Sequence, residues 1–220
     1  MLSTIHTHHA AVMLLMMLGC FVQLASSQQR ASLNQAMTFT SPDGTFSVSY
    51  PKDFRFCKRG GAEPCVESYI PVCDDDAIVC VVYFPPEFKN TNFAAAAFQV
   101  REITRMEEMR PNVCVTPYPL KDGNVVSEWP EFQVSADHPI ENIDGAQFLH
   151  GISGEGATSH WLSTDLYRAF HNKTCFELAI NQTGTEPHVT DPPMKTLTAA
   201  QQKKLERTMS NVLHSFRFLK

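Results

Sequence analysis

The chain has 220 residues, 23 acidic against 18 basic for a net charge of -5, and 19% of its residues are charged. A mildly acidic chain without a cluster of Lys or Arg argues against nucleic acid and against anionic membrane surfaces, both of which demand a basic footprint. After an apolar leader, about 190 residues remain, enough for one domain with a substantial core and too few for two.

Met1 to Gln29 contains no Asp, Glu, Lys or Arg, and Ala10 to Ala25 is almost wholly apolar. That run is shorter than the roughly 20 residues a membrane-spanning helix needs. It reads as an export signal, with the small residues Ala25 and Ser27 placing the cut before Gln28. Residues 1–27 are then a signal peptide, 28–36 a flexible tether and 37–220 a single domain. No integral membrane span is expected in the mature protein. Met17-Leu18-Gly19-Cys20 also resembles a bacterial lipobox, which would make Cys20 a lipid anchor, although Met17 stands where that motif normally has Leu.

Six cysteines follow the leader: Cys57, Cys65, Cys73, Cys80, Cys114 and Cys175. An even number in an exported chain implies disulfides, and sequence leaves 15 pairings open. Local economy favours Cys57–Cys65 and Cys73–Cys80, with Cys114–Cys175 as a long bridge contributing roughly 4 kcal/mol on the chain-entropy account.

Along the domain, Met37 and Phe39 alternate with polar residues, and Ser41-Pro42-Asp43-Gly44 supplies turn chemistry. Thr45 to Tyr50 alternates strictly, a half-buried strand with Phe46, Val48 and Tyr50 inward, ended by Pro51. Phe56 to Pro71 reads as a loop. Ala77 to Phe84, apolar and β-branched, reads as a central strand. The four alanines of Phe93 to Ile103 favour helix, yet Ala94, Ala96, Phe98 and Val100 alternate, so a strand is expected, grading into a short helix over Arg105 to Met109. A proline-rich middle follows, with short strands at Val125 to Ser127 and Phe132 to Ser135. Gly145 to Ile152, Trp161 to Phe170 and Thr174 to Asn181 are three successive strands. After a turn-rich connection over Pro187 to Leu197, Thr198 and Gln201 fit a capping box. Leu205, Met209, Val212, Leu213 and Phe216 then form one apolar stripe on a terminal helix.

If Asn172-Lys173 is a two-residue turn, Arg168 faces Glu177 and Tyr167 faces Leu178. Alternation then puts Trp161, Tyr167, Ala169, Phe176, Leu178 and Ile180 on the core face, and Arg168 with Glu177 outward as an opposite-charge pair. The same count places Asp165 opposite Ile180 on the core face. Phe148 and Ile152 face inward on the preceding strand and carry His150 with them. A core-facing Asp and His on neighbouring strands must be hydrogen-bonded or line a pocket. His150, Asp165 and Trp161 are therefore the candidate pocket.

Other constellations carry less. His138, His150, His160 and His171 are nine or more residues apart, which no recognised zinc motif requires, and the cysteines lack C-x-x-C spacing, so no metal is expected. Asp74-Asp75-Asp76 lacks the Gly and terminal Glu of a calcium loop and reads as a solvated turn. Gly151, Gly154 and Gly156 lack the rest of a phosphate-loop motif and read as a flexible hairpin loop. Asn172-Lys173-Thr174 and Asn181-Gln182-Thr183 match glycosylation acceptors.

Two stretches resemble known proteins. Phe46-Ser47-Val48-Ser49-Tyr50-Pro51, with a long helix running into Val212-Leu213-His214-Ser215-Phe216-Arg217-Phe218, resembles the PsbP-like α-β-α sandwich. Tyr167-Arg168-Ala169-Phe170-His171-Asn172 and Cys175-Phe176-Glu177-Leu178 resemble motifs of an uncharacterised family of exported bacterial proteins. The resemblance implies an α+β domain, an antiparallel sheet with a C-terminal helix packed on one face and a short final strand, here with disulfide-stapled loops. It implies accessory or binding roles more than catalysis, and no cofactor. The expected function is a non-catalytic exported module, periplasmic, secreted or lipid-anchored, for an unknown protein or small-molecule partner. The alternative is a secreted hydrolase using His150 and Asp165 with a serine, for which Ser163 is the candidate.

Overall fold

The computed structural model describes residues 36–57, 71–103, 114–115, 133–135, 138–157 and 159–219. Thr38–Lys220 is one compact unit and holds the architecture below apart from the first two residues of the opening strand. Strand β1 (Ala36–Thr40), β2 (Phe46–Pro51) and the short β11 (Arg217–Phe218) form a small sheet in the order β1-β2-β11. The large sheet contains β3 (Arg55–Cys57), β4 (Val79–Tyr83), β5 (Phe93–Ile103), β6 (Gln133–Val134), β7 (Ile140–Ile143), β8 (Ala146–Ala157), β9 (His160–His171) and β10 (Thr174–Thr185). Its order is β3-β4-β5-β10-β9-β8-β6, with β7 also paired to β8, and every pairing is antiparallel. Helix α1 (Ala199–Leu213) packs on one face.

The opening hairpin forms as its pattern dictates: Phe46 and Val48 are fully buried and Tyr50 nearly so. The alanine-rich segment is a strand from Phe93 to Ile103, because it is sandwiched between β4 and β10, where small side chains let a second layer approach. The three C-terminal strands run longer than their apolar cores, 12 residues each. Gly151, Gly154 and Gly156 are therefore not a loop. They lie within β8, where Gly154 pairs with Ser163 and Gly156 with Trp161. The short helix expected at Arg105 to Met109 and the strand at Val125 to Ser127 lie outside the described residues.

The β9–β10 hairpin has the register deduced from its turn. Phe170 faces Cys175, Arg168 faces Glu177, Tyr167 faces Leu178 and Asp165 faces Ile180. Asn172 and Lys173 both adopt positive φ, 46° and 67°, the backbone that a primed two-residue turn demands. At the other end of β10, Gly184 sits beside a register irregularity and opposite Trp161. A Cβ there would run into the Asn92 carbonyl oxygen and come within 2.5 Å of Trp161 Cζ2. That carbonyl is fixed by the Thr185 N–H, which donates to it at 2.8 Å.

Helix α1 starts at the predicted box: Thr198 Oγ1 accepts from the Gln201 N–H at 3.3 Å, and Gln201 Oε1 accepts from the Thr198 N–H at 2.9 Å. Its stripe of Leu205, Met209, Val212 and Leu213 is buried and continues into Phe216. Leu213→Ala should destabilise by about 2–5 kcal/mol in urea melts, since a buried leucine leaves a cavity. Lys204 lies on the exposed side and pairs with Glu87, so Lys204→Ala should cost less than about 1 kcal/mol. Equal losses would mean that the helix is not docked through this stripe.

One expectation fails. Arg168 and Glu177 share the face opposite α1, as the register requires, but that face is not open to water: Arg168 is 8% exposed and Glu177 1%. Among the described residues it is covered by the segment around Val72 to Ala77, and helical Cys114, bonded to Cys175, lies against the same face. A second apolar cluster there joins Val72, Ala77 and Cys80 to Ala95 and Ala97. Cys73 is disulfide-bonded to Cys80 and Cys114 to Cys175, and Cys57 is also disulfide-bonded. Cys65, expected as the partner of Cys57, lies outside the described residues.

Candidate functional site

Two polar constellations stand out, one on each face of the large sheet. On the covered face, Arg101 of β5, Glu177 of β10 and Arg168 of β9 are consecutive cross-strand partners. Arg101 Nε donates to Glu177 Oε1 at 2.6 Å and Arg168 Nε to Glu177 Oε2 at 2.7 Å. Arg101 also reaches Asp74 at 3.2 Å and Asp76 at 3.7 Å. Burial opposes the Arg101 charge, but Glu177 and then Asp74 outweigh it and hold its pKa above the ordinary value. Burial raises the Asp74 carboxyl above its usual range, against the pull of Arg101. Gln99 clamps the same turn, accepting from the Asp74 N–H at 2.8 Å and donating to Asp74 Oδ2 at 2.6 Å. The aspartate run is the solvent-exposed turn expected from its composition, anchored on the sheet through Asp74. With every partner supplied by protein, the network serves to hold the cover in place.

The other constellation lies where β8, β9 and β10 meet α1. His150 and Asp165 project from neighbouring strands on the α1 face, and Nε2 of the imidazole stands 3.1 Å from Asp165 Oδ1. Nδ1 stands 3.1 Å from the His138 carbonyl oxygen. Both partners are acceptors, so the ring makes both bonds only as the doubly protonated cation, and the neutral ring keeps one. The imidazole also stacks on Tyr167, with centroids 4.5 Å apart and planes 5° apart. These contacts surround a groove of about 260 Å³. Ile180, Met209 and Leu213 form its apolar wall, while Glu141, Glu206 and His214 stand along it. His214 Nε2 lies 3.6 Å from Glu141, joining the end of α1 to β7. Burial pushes the Tyr167 hydroxyl well above its ordinary pKa, with Asp165 and Glu141 adding to the effect, so the phenol stays neutral.

The remaining sequence candidates are elsewhere. Trp161 does not line the groove; it is half-buried at the far end of β9, against Gly184. Ser163 is exposed and also outside the groove. Ile152, expected to face inward beside His150, is 46% exposed. His160 bonds Thr185 at 3.2 Å, and His171 stacks on Phe218 with centroids 3.9 Å apart, so the four spaced histidines do not converge. No group of three or more His, Cys, Asp or Glu among the described residues could hold a metal ion. Nor is any described helix long and apolar enough to cross a membrane. Asn172 is exposed at the hairpin tip, whereas Asn181 is buried and its Nδ2 donates to the Val72 carbonyl at 2.7 Å, which closes that acceptor in the folded chain. Sequence reasoning missed Tyr167 as a pocket residue and Glu141 altogether. The Asp144-Gly145 pair, a strong hairpin signal, would have exposed β7 and hence Glu141.

No family model matches the chain, and no curated protein matches it. The sequence resemblance to an exported bacterial family therefore rests on its two short motifs. Among solved structures, the chain is similar to LpqN, described as involved in cell envelope biogenesis of Mycobacterium tuberculosis, at 13% identity and TM-score 0.44, over 84% of this chain and 91% of that one. It is similar to a protein of Bacteroides thetaiotaomicron at 11% identity and TM-score 0.41, over 84% of this chain and 49% of that one. It is also similar to cyanobacterial PsbP from Synechocystis at 10% identity and TM-score 0.38, over 84% of this chain and 92% of that one.

Proposed function

We propose that the chain is a non-catalytic exported binding module, and that the groove between the sheet and α1 is its recognition site. The observation that carries this reading is the use of His150. A general base needs one ring nitrogen free to take a proton from its nucleophile. Here one nitrogen faces Asp165 and the other the His138 carbonyl, with the ring fixed on Tyr167. Ser163, outside the groove, is no nucleophile for it. What remains is a small, partly apolar concavity with a few convergent polar groups, the usual make-up of a ligand site.

Export to the periplasm or outside the cell, after removal of residues 1–27, is supported by the leader and by the bonded cysteines, which need an oxidising compartment. Lipidation at Cys20 is the variant of this reading that mass spectrometry of the mature N-terminus would distinguish. The test of the non-catalytic role is labelling of the folded protein with a fluorophosphonate, which reacts with activated serines. The expected result is no labelling. Stoichiometric modification of Ser163, abolished by His150→Ala, would establish the hydrolase instead.

A further inference from the structure

We propose that the groove binds a small aliphatic amine, with its ammonium group among the carboxylates and its alkyl chain on the apolar wall. This rests on reading the groove as the recognition site. Three carboxylates line it, Glu141, Asp165 and Glu206, together with three histidines, of which His150 lies 3.1 Å from Asp165 and His214 3.6 Å from Glu141; neither Lys nor Arg lines it. An anionic ligand would meet these carboxylates as like charge. A cation would share Asp165 and Glu141 with their imidazole partners and take Glu206, which no Lys, Arg or His among the described residues pairs, in a partly desolvated concavity where field lines concentrate.

Tyr167 supplies an independent pointer to a ligand. The residue is 8% exposed, and its hydroxyl has no protein hydrogen-bond partner among the described residues. That oxygen is not sealed off, since no buried side-chain polar atom of the described residues is left unpaired. Tyr167 itself lines the groove. A buried tyrosine normally finds a partner for its hydroxyl. Because burial holds the phenol in its neutral form, the oxygen keeps lone pairs that accept from an N–H donor and does not add a fourth negative charge. The apolar wall of Ile180, Met209 and Leu213 suits a short methylene chain, and about 260 Å³ lies just under the usual range for ligand pockets, which restricts the ligand to a small one.

The experiment is an NMR titration of the mature protein at constant ionic strength with three probes of similar length: butylamine, butanoate and 1-butanol. Butylamine should shift the His150 and Tyr167 signals saturably and bind about tenfold or more tighter than the other two. Tyr167→Phe should weaken butylamine by about two- to tenfold, the loss expected for one hydrogen bond. Glu206→Gln, exposed on α1 beside the groove, where an amide oxygen can still accept from Gln202 Nε2, should weaken it by about two- to fivefold with little change in melting temperature. Butanoate or butanol binding as tightly through the same signals would overturn the amine assignment and leave the recognition site standing. Butylamine binding that neither variant weakens would also overturn it, by placing the amine elsewhere. If no probe moves any groove signal, the amine assignment and the recognition site fall together.

Discussion

Replacing Glu177 by alanine is expected to destabilise the protein by about 3–5 kcal/mol, the range for removing one partner of a buried ion pair. The loss comes from the charges left behind more than from the pair itself. Glu177 is 1% exposed and gives each of its oxygens to a different arginine, at 2.6 and 2.7 Å. Without it, two guanidinium groups on the strands flanking β10 face each other across it in a site that water does not reach freely. Arg101 keeps Asp74 and Asp76, so its share of the loss is the smaller. Urea denaturation followed by circular dichroism measures the effect, with Asp76→Ala as the comparison. Asp76 is 58% exposed and 3.7 Å from Arg101, so its removal should cost less than about 1 kcal/mol. Comparable losses from the two variants would show that Glu177 is not the centre of the network.

Phe216→Ala should cost a similar amount, about 3–5 kcal/mol, for the opposite physical reason. Phe216 is fully buried just after α1 and touches rings from both sheets: Phe46 at 5.4 Å, Phe148 at 6.0 Å and Phe218 at 4.9 Å between centroids. Its neighbours are tied to β2, since Ser215 Oγ accepts from the Ser49 N–H at 2.9 Å and donates to the Ser49 carbonyl at 2.6 Å. Backbone held that firmly cannot collapse into the void, which places the cost high in its range. Leu219→Ala provides the contrast, because that side chain is 49% exposed and its truncation should stay within about 0.5 kcal/mol. A melt in which both variants behave alike would refute the aromatic junction.

What the sequence reveals, and what it hides, follows from the range of the interactions. Register in β9–β10 is legible because a two-residue turn and one charge pair specify it locally, even though Lys173 is an unusual occupant of a left-handed position. Helix α1 is legible from its cap and stripe. The proximity of His150 and Asp165 could be argued because alternation on two paired strands is enough to put them on one face. Alternation cannot say what covers a face. Arg168 and Glu177 therefore looked solvent-facing, when residues near Cys73 and Cys80, about a hundred positions away, close over them. The groove was only half visible for the same reason, since Glu141, Glu206 and His214 reach it from a short strand and a helix that no local pattern connects to β9. The glycines of β8 misled in the other direction: their composition suggested a loop, while pairing with β9 on one side keeps them extended.

Gly184 gives this protein a positional signature that can be searched for. The Asn92 carbonyl and the Trp161 ring together leave no volume for a side chain there, so any chain that shares this corner should have glycine at the position paired with that tryptophan. Overall identity decays quickly between distant homologues, but a steric exclusion of this kind does not drift by degrees. Candidate relatives can thus be accepted or rejected on a tryptophan and a glycine set opposite each other on adjoining strands. Those that pass will show whether the residues around His150 vary together or independently of the scaffold.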